Sequence, residues 1–220
     1  MKLDKHFPGL SRIANGDYVL EGNLTCDDNL EIDLDDRLVV KGKIEVKNNI
    51  VAGCGIEAGC GIKAGCGIKA GWGIEAGCGI EAGEGIEAGW GIEAGWGIKA
   101  GCGIKAGCGI KAGWGIKAGW GIEAGWGIEA GEGIEAKTFI HSEKRIFAGI
   151  SVYHTSANCK KTIKCAELRK GEVCYGELVI EKPVVEMTIA EIEAKLGIKN
   201  LKIKRGVKPL CGPINSETAR

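Results

Sequence analysis

Residues 53–136 are a single six-residue phrase, Gly-X-Gly-Ile-(Glu/Lys)-Ala, repeated fourteen times without an insertion. Four of its six positions never change; X is Cys, Trp or Glu, and the fifth position is Glu or Lys. A fixed short period means one structural unit stacked on copies of itself. Within the phrase, Ile-(Glu/Lys)-Ala alternates apolar, charged, apolar, which is the period of a strand with Ile and Ala facing inward and the charge facing water. Glycine on both sides of X allows a bend, a positive φ or a close backbone approach. A strand this short cannot bury its Ile alone, so the copies must stack into a parallel β-solenoid whose coils pair backbone to backbone. Each buried Ile contributes about 1.5–3 kcal/mol, which makes the Ile columns the main source of stability. Two glycines in six residues, each costing about 1 kcal/mol in a helix, exclude the α-helical alternative.

The apolar register continues outside the perfect block. Steps of six lead back from Ile56 through Ile50, Ile44, Leu38, Ile32 and Cys26 to Leu20, and forward from Ile134 to Ile140 and Ile146. The chain therefore divides into an N-terminal lead or cap over 1–19, a solenoid over 20–149, and a C-terminal α+β module over 150–220. In the last part, residues 162–165 and 174–180 read as short strands. Thr188 and Glu191 form a capping box that opens a helix with an apolar face of Ile189, Ile192 and Leu196, stopped by Gly197. Leu201 to Lys204 alternates as a final strand, and a polar tail from Asn215 frays. Such a module can cover the open end of the solenoid, whose last strand edge is otherwise unpaired, or it can serve binding and dimerisation.

Ile56, Glu57, Ala58, Gly59 and Cys60 show an aliphatic residue with a small residue four places on. This resembles the hexapeptide-repeat, left-handed parallel β-helix family over about 130 residues, and the resemblance implies an all-β solenoid. The chain departs from the family's phrase at the small position, where Trp72, Trp90, Trp96, Trp114, Trp120, Trp126, Glu84 and Glu132 stand. A narrow triangular coil has no room inside for Trp. The charges bear on coil size because opposite charges on neighbouring strands attract. A spacing of 24 residues pairs opposite signs in 9 of 10 cases and a spacing of 18 in 8 of 11. The charge pattern thus favours a four-sided coil of 24 residues, with the 18-residue triangle next.

The net charge is zero, but it is distributed as −3 over residues 1–52, −4 over the repeats and +7 over 137–220. A basic C-terminal part can meet an acidic partner, nucleic acid as a weaker case included, although a solvated Lys-rich surface is the simpler explanation. Six of the eleven Cys occupy X, where Trp replaces them freely, so they are not obligatory bridges. With no apolar leader after Met1, this composition points to a cytoplasmic protein with reduced thiols. A charge every six residues leaves no stretch long enough to span a membrane.

Candidate chemistry is sparse. The resemblance implies an acyltransferase with a His general base, for which only His141 lies near solenoid register; that is the alternative function. The repeats hold no Asp for calcium and no Thr ladder. Asp27, Asp28, Asn29, Asp33, Asp35 and Asp36 are a carboxylate cluster that turn chemistry also explains. His154, Cys159, Cys165 and Cys174 have no compact zinc spacing. No cofactor, metal or catalytic residue is therefore expected. The Trp side chains are core if they face inward. If they face outward they form an apolar stripe for a partner or for self-association, and Glu84 and Glu132 favour exposure of X. The expected function is a non-enzymatic, rigid repetitive surface for a protein partner or a homo-oligomer. A phage or mobile-element inhibitor of a host nuclease or defence complex is one version.

Overall fold

The computed structural model describes residues 1–149 and 161–181. Every Ile-(Glu/Lys)-Ala triplet of the block is a three-residue strand, from Ile56–Ala58 to Ile134–Ala136. Ile and Ala are buried in each, while the charged residue between them is exposed or half-buried. The fold is an all-β parallel solenoid.

The strands stack at a spacing of eighteen residues: Ile62 lies beside Ile80, and Ile80 beside Ile98. Three hexads make one coil, so the 24-residue register that the charges favour is not formed. Three Ile and three Ala from each coil are buried together in the closed interior. A fourth side would open a lumen that these side chains could not fill. Backbone pairing runs through the corners as well as along the strands. The Ile56 N–H donates to the Gly73 carbonyl at 3.0 Å, and the Gly77 N–H to the Ala58 carbonyl at 2.9 Å. No buried side-chain N or O among the described residues lacks a partner.

The two glycines of the phrase do different jobs. None in the block has a positive φ, so it is close approach that requires them. At the first glycine, a Cβ on Gly89 would fall on the carbonyl oxygen of Gly71 one coil earlier, far inside van der Waals contact. The second is held less tightly: a Cβ on Gly91 would lie 3.4 Å from the Gly109 carbonyl, an ordinary contact, and one on Gly97 would lie 3.2 Å from the Gly115 carbonyl.

The block has three faces. Face 1 contains the strands beginning at Ile50, Ile68, Ile86, Ile104 and Ile122; face 2 those at Ile56, Ile74, Ile92, Ile110 and Ile128; face 3 those at Ile62, Ile80, Ile98, Ile116 and Ile134. Before the block one coil is longer. Tyr18 pairs with Leu38, Leu24 with Ile44 and Leu30 with Ile50, a spacing of twenty. The two extra residues widen the corner at 34–37, and the steps of six therefore slip by two behind Leu38. Ile32 stays buried because a slip of two preserves strand parity. At the N-terminal end, Lys2–Asp4 runs parallel to Glu31–Asp33, and Leu10–Arg12 forms an antiparallel hairpin with Tyr18–Leu20.

Past the block, Phe139–Ala148 is one continuous strand that turns a corner and pairs with both Ile122–Ala124 and Ile128–Ala130. The coils then go on. Thr162–Cys165 pairs with Ile134–Ala136, Glu167–Tyr175 with Phe139–Ala148, and Glu177–Ile180 with Thr162–Cys165. Residues 162–180, which the sequence assigns to a separate module, therefore belong to the solenoid. The period hides them because Ile163 follows its partner Ile134 by 29 positions instead of eighteen. The helix expected after Thr188, the strand at 201–204 and the tail lie outside the described residues.

Candidate interaction surface

The X residues sit at the corners, each held between two glycines, and apart from the buried Cys54 their side chains point outward. With three corners per coil they form three edges parallel to the rod. Edge 1 carries Cys54, Trp72, Trp90, Cys108 and Trp126, followed by Lys144. Edge 2 carries Cys60, Cys78, Trp96, Trp114 and Glu132. Edge 3 carries Cys66, Glu84, Cys102 and Trp120, followed by Thr138. Successive rungs are tied through the main chain: the Trp90 N–H donates to the Trp72 carbonyl at 3.2 Å, and the Trp114 N–H to the Trp96 carbonyl at 2.9 Å.

All six Trp are exposed, from 38% at Trp72 to 65% at Trp120. Of the two placements the sequence left open for Trp, core and exposed, the exposed one forms. Strand parity would send X inward, but the corner breaks the alternation, and outside the coil a side chain of any size fits. Glu84 is exposed and Glu132 half-buried, on edges 3 and 2. Cys54 alone among the X residues is buried, beside the widened corner of the preceding coil, and burial pushes its thiol pKa up.

An 18-residue coil also redistributes the Trp. Trp72, Trp96 and Trp120, aligned at a spacing of 24, fall on three different edges. The pairs that meet are Trp72 with Trp90, stacked at 5.9 Å between centroids, and Trp96 with Trp114 at 5.7 Å. Lys144 sits over the Trp126 ring at 4.8 Å. The sequence reading missed Lys144, which only a step of eighteen from Trp126 reveals. A groove of about 1380 Å³ runs along edge 1 and face 2, lined by Trp72, Trp90 and Trp126 together with Glu75, Glu93 and Lys111.

The acidic cluster near the N-terminus is already occupied by protein groups. Asp27 pairs with Lys47 and Asp33 with Lys2, Arg12 reaches both Asp35 and Asp36, and the Tyr18 hydroxyl donates to Asp35 at 2.6 Å. That hydrogen bond lowers the Asp35 pKa. Such mutual satisfaction makes the cluster a structural belt for the first coils. Arg37 continues it, bridging Asp17 at 2.9 Å and Glu57 at 2.8 Å.

Of the zinc candidates, Cys165 faces the core and Cys174 is exposed, while His154 and Cys159 lie outside the described residues. No group of three metal-ligating side chains occurs among the described residues. His141 occupies a charge position on face 1 beside Glu123, its ring 2.9 Å from Glu143, whose other oxygen pairs with Lys170. Those contacts lower the Glu143 pKa, Lys170 contributing first and His141 second. No helix among the described residues is long and apolar enough to cross a membrane. No protein family, curated protein or solved structure matches the chain.

Proposed function

We propose that the chain is a non-enzymatic binding protein, a stiff rod that presents its Trp-bearing edges to a protein partner or to further copies of itself. The observation that carries this reading is the exposure of all six Trp on corners where folding asks nothing of the side chain. Cys, Glu and Trp build the same corner with the same backbone bonds, so the backbone does not require Trp there. Exposed Trp is, by contrast, the residue most often responsible for binding energy at protein interfaces. Fourteen near-identical phrases also suit a gene that changes length by copying. An inhibitor carried by a phage or mobile element against a host nuclease or defence complex is the version that such variability supports.

The test compares the chain with a variant in which Trp72, Trp90, Trp96 and Trp114 are Ser. Capture from the native cell and light scattering on the pure protein should both show association with the first and its loss with the second. The β content should be unchanged and stability lowered only by the two lost stacks, about 0.5–1.5 kcal/mol each. Equal association by both would overturn the reading. The His141–Glu143 pair supports acyl transfer as a second reading. For that, acyl-CoA binding with turnover that disappears in His141→Ala is the expected result, and absence of cofactor binding removes it.

A further inference from the structure

We propose that Cys60 and Cys78 form a modification site, a dithiol that a small-molecule disulfide such as oxidised glutathione converts into a coil-to-coil disulfide. Among the described residues they are the only two cysteines on consecutive rungs of one edge. Elsewhere the rung beside an X cysteine holds Trp, Glu or another residue type. The Cys78 N–H donates to the Cys60 carbonyl at 2.8 Å, which sets the two backbones at strand spacing. That spacing, about 4.8 Å, lies within the Cα separation of roughly 4.4–6.8 Å that disulfides span. Gly77 packs against the Gly59 carbonyl and holds the two corners in register, so the bridge forms by side-chain rotation at Cys60 and Cys78 on a fixed backbone.

Access and selectivity follow from burial. Cys60 is exposed and Cys78 half-buried, whereas Cys54 is enclosed and its thiol pKa is raised by burial, which keeps it out of the reactive thiolate form. In the first step the Cys60 thiolate attacks one sulfur of oxidised glutathione, forming a mixed disulfide and releasing one glutathione thiolate. The Cys78 thiolate then attacks the Cys60 sulfur, forming the protein disulfide and releasing the second glutathione. Two protein thiols are oxidised and one glutathione disulfide is reduced to two thiols. The product ties together the two rungs directly below the Trp96–Trp114 stack and so stiffens edge 2 from its base.

The experiment oxidises the full chain with oxidised glutathione, digests it with trypsin and identifies linked peptides by mass. The expected product joins residues 48–63 to 70–99. The first peptide also holds Cys54, so the link must survive Cys54→Ser and vanish in Cys60→Ser and Cys78→Ser. In parallel, oxidation should raise the thermal midpoint of the unsubstituted chain, a shift reversed by dithiothreitol and absent in Cys78→Ser. This second readout keeps the test decisive if a Ser variant folds poorly. A link that survives Cys60→Ser but not Cys54→Ser would overturn the proposal, because that pairing belongs to a 24-residue coil. Glutathione retained as a stable adduct on Cys60 would overturn it too. So would a link between isotopically heavy and light copies in a mixed sample.

Discussion

Each glycine of the phrase has its own physical reason, and the difference can be measured at single positions. Gly89→Ala would drive a methyl group into the Gly71 carbonyl, which is main chain and cannot swing aside. We expect it to destabilise the rod by at least about 2 kcal/mol. Gly91→Ala meets the Gly109 carbonyl at 3.4 Å with no positive φ to oppose it, and should change stability by less than about 1 kcal/mol. Denaturant unfolding of the two variants checks both, and equal losses would contradict the close-approach account. The same scale governs the acid limit of the first coils. The hydrogen bond from Arg37, with a smaller contribution from Asn15, holds the Asp17 carboxyl below the usual carboxylate pKa. A lowered folded pKa gives stability that is fully present above the ordinary aspartate value of about 4 and lost as pH falls through the lowered one. Asp17→Asn should therefore be less stable at neutral pH and lose less on acidification, as read from thermal midpoints across the acid range.

The strands are near-identical copies, and what distinguishes them is the charge at their centre. Lys69 with Glu87, Lys99 with Glu81 and Lys117 with Glu135 are ion pairs between adjacent coils at 3.1–3.3 Å. Lys99 also meets Lys117 on face 3, but Glu75 is the one residue between two like charges, lying on face 2 between Glu57 and Glu93. Glu75→Lys replaces two repulsions with two attractions of about 0.2–1 kcal/mol each, less at high salt, offset in part by the loss of its attraction to Arg37, and should stabilise on balance. A variant that unfolds earlier than the parent at low ionic strength would contradict the eighteen-residue stacking. The smallness of this energy explains why charge matching misjudged the coil. Exposed pairs contribute too little for selection to hold them in register, so 9 matches of 10 at one spacing outweigh 8 of 11 at another without directing the fold.

For the molecule as a whole, every hexad places the same Ile and Ala inside, so the core does not distinguish one face from another. Removing residues 83–88, one whole phrase, should leave the β content unchanged and cost little stability. Everything downstream would rotate by one edge, bringing Trp72, Trp96 and Trp114 onto consecutive rungs. Near-UV circular dichroism should then report a three-indole stack, while far-UV spectra stay as they were. A large loss of far-UV signal would show that the faces are not equivalent.

Strand positions, inward Ile and Ala, outward charges and the parallel stacking were all legible in the residues, because the phrase states its own period and its glycines rule out a helix. The number of sides was not. A hexad describes one side of a polygon, and identical sides say nothing about how many close it; the packing of three Ile and three Ala across the interior decides that. The direction of X was open in the sequence, where Trp suited a core and Glu84 and Glu132 suited exposure, and only the corner geometry turned it out. The coils at 162–180 were hidden by the long step from Ile134 to Ile163, which breaks the period without breaking the stack. Local alternation and glycine content therefore determined what each element is. Tertiary closure alone decided which elements are neighbours, and with them which Trp meet, which cysteines share an edge and which surface the rod presents.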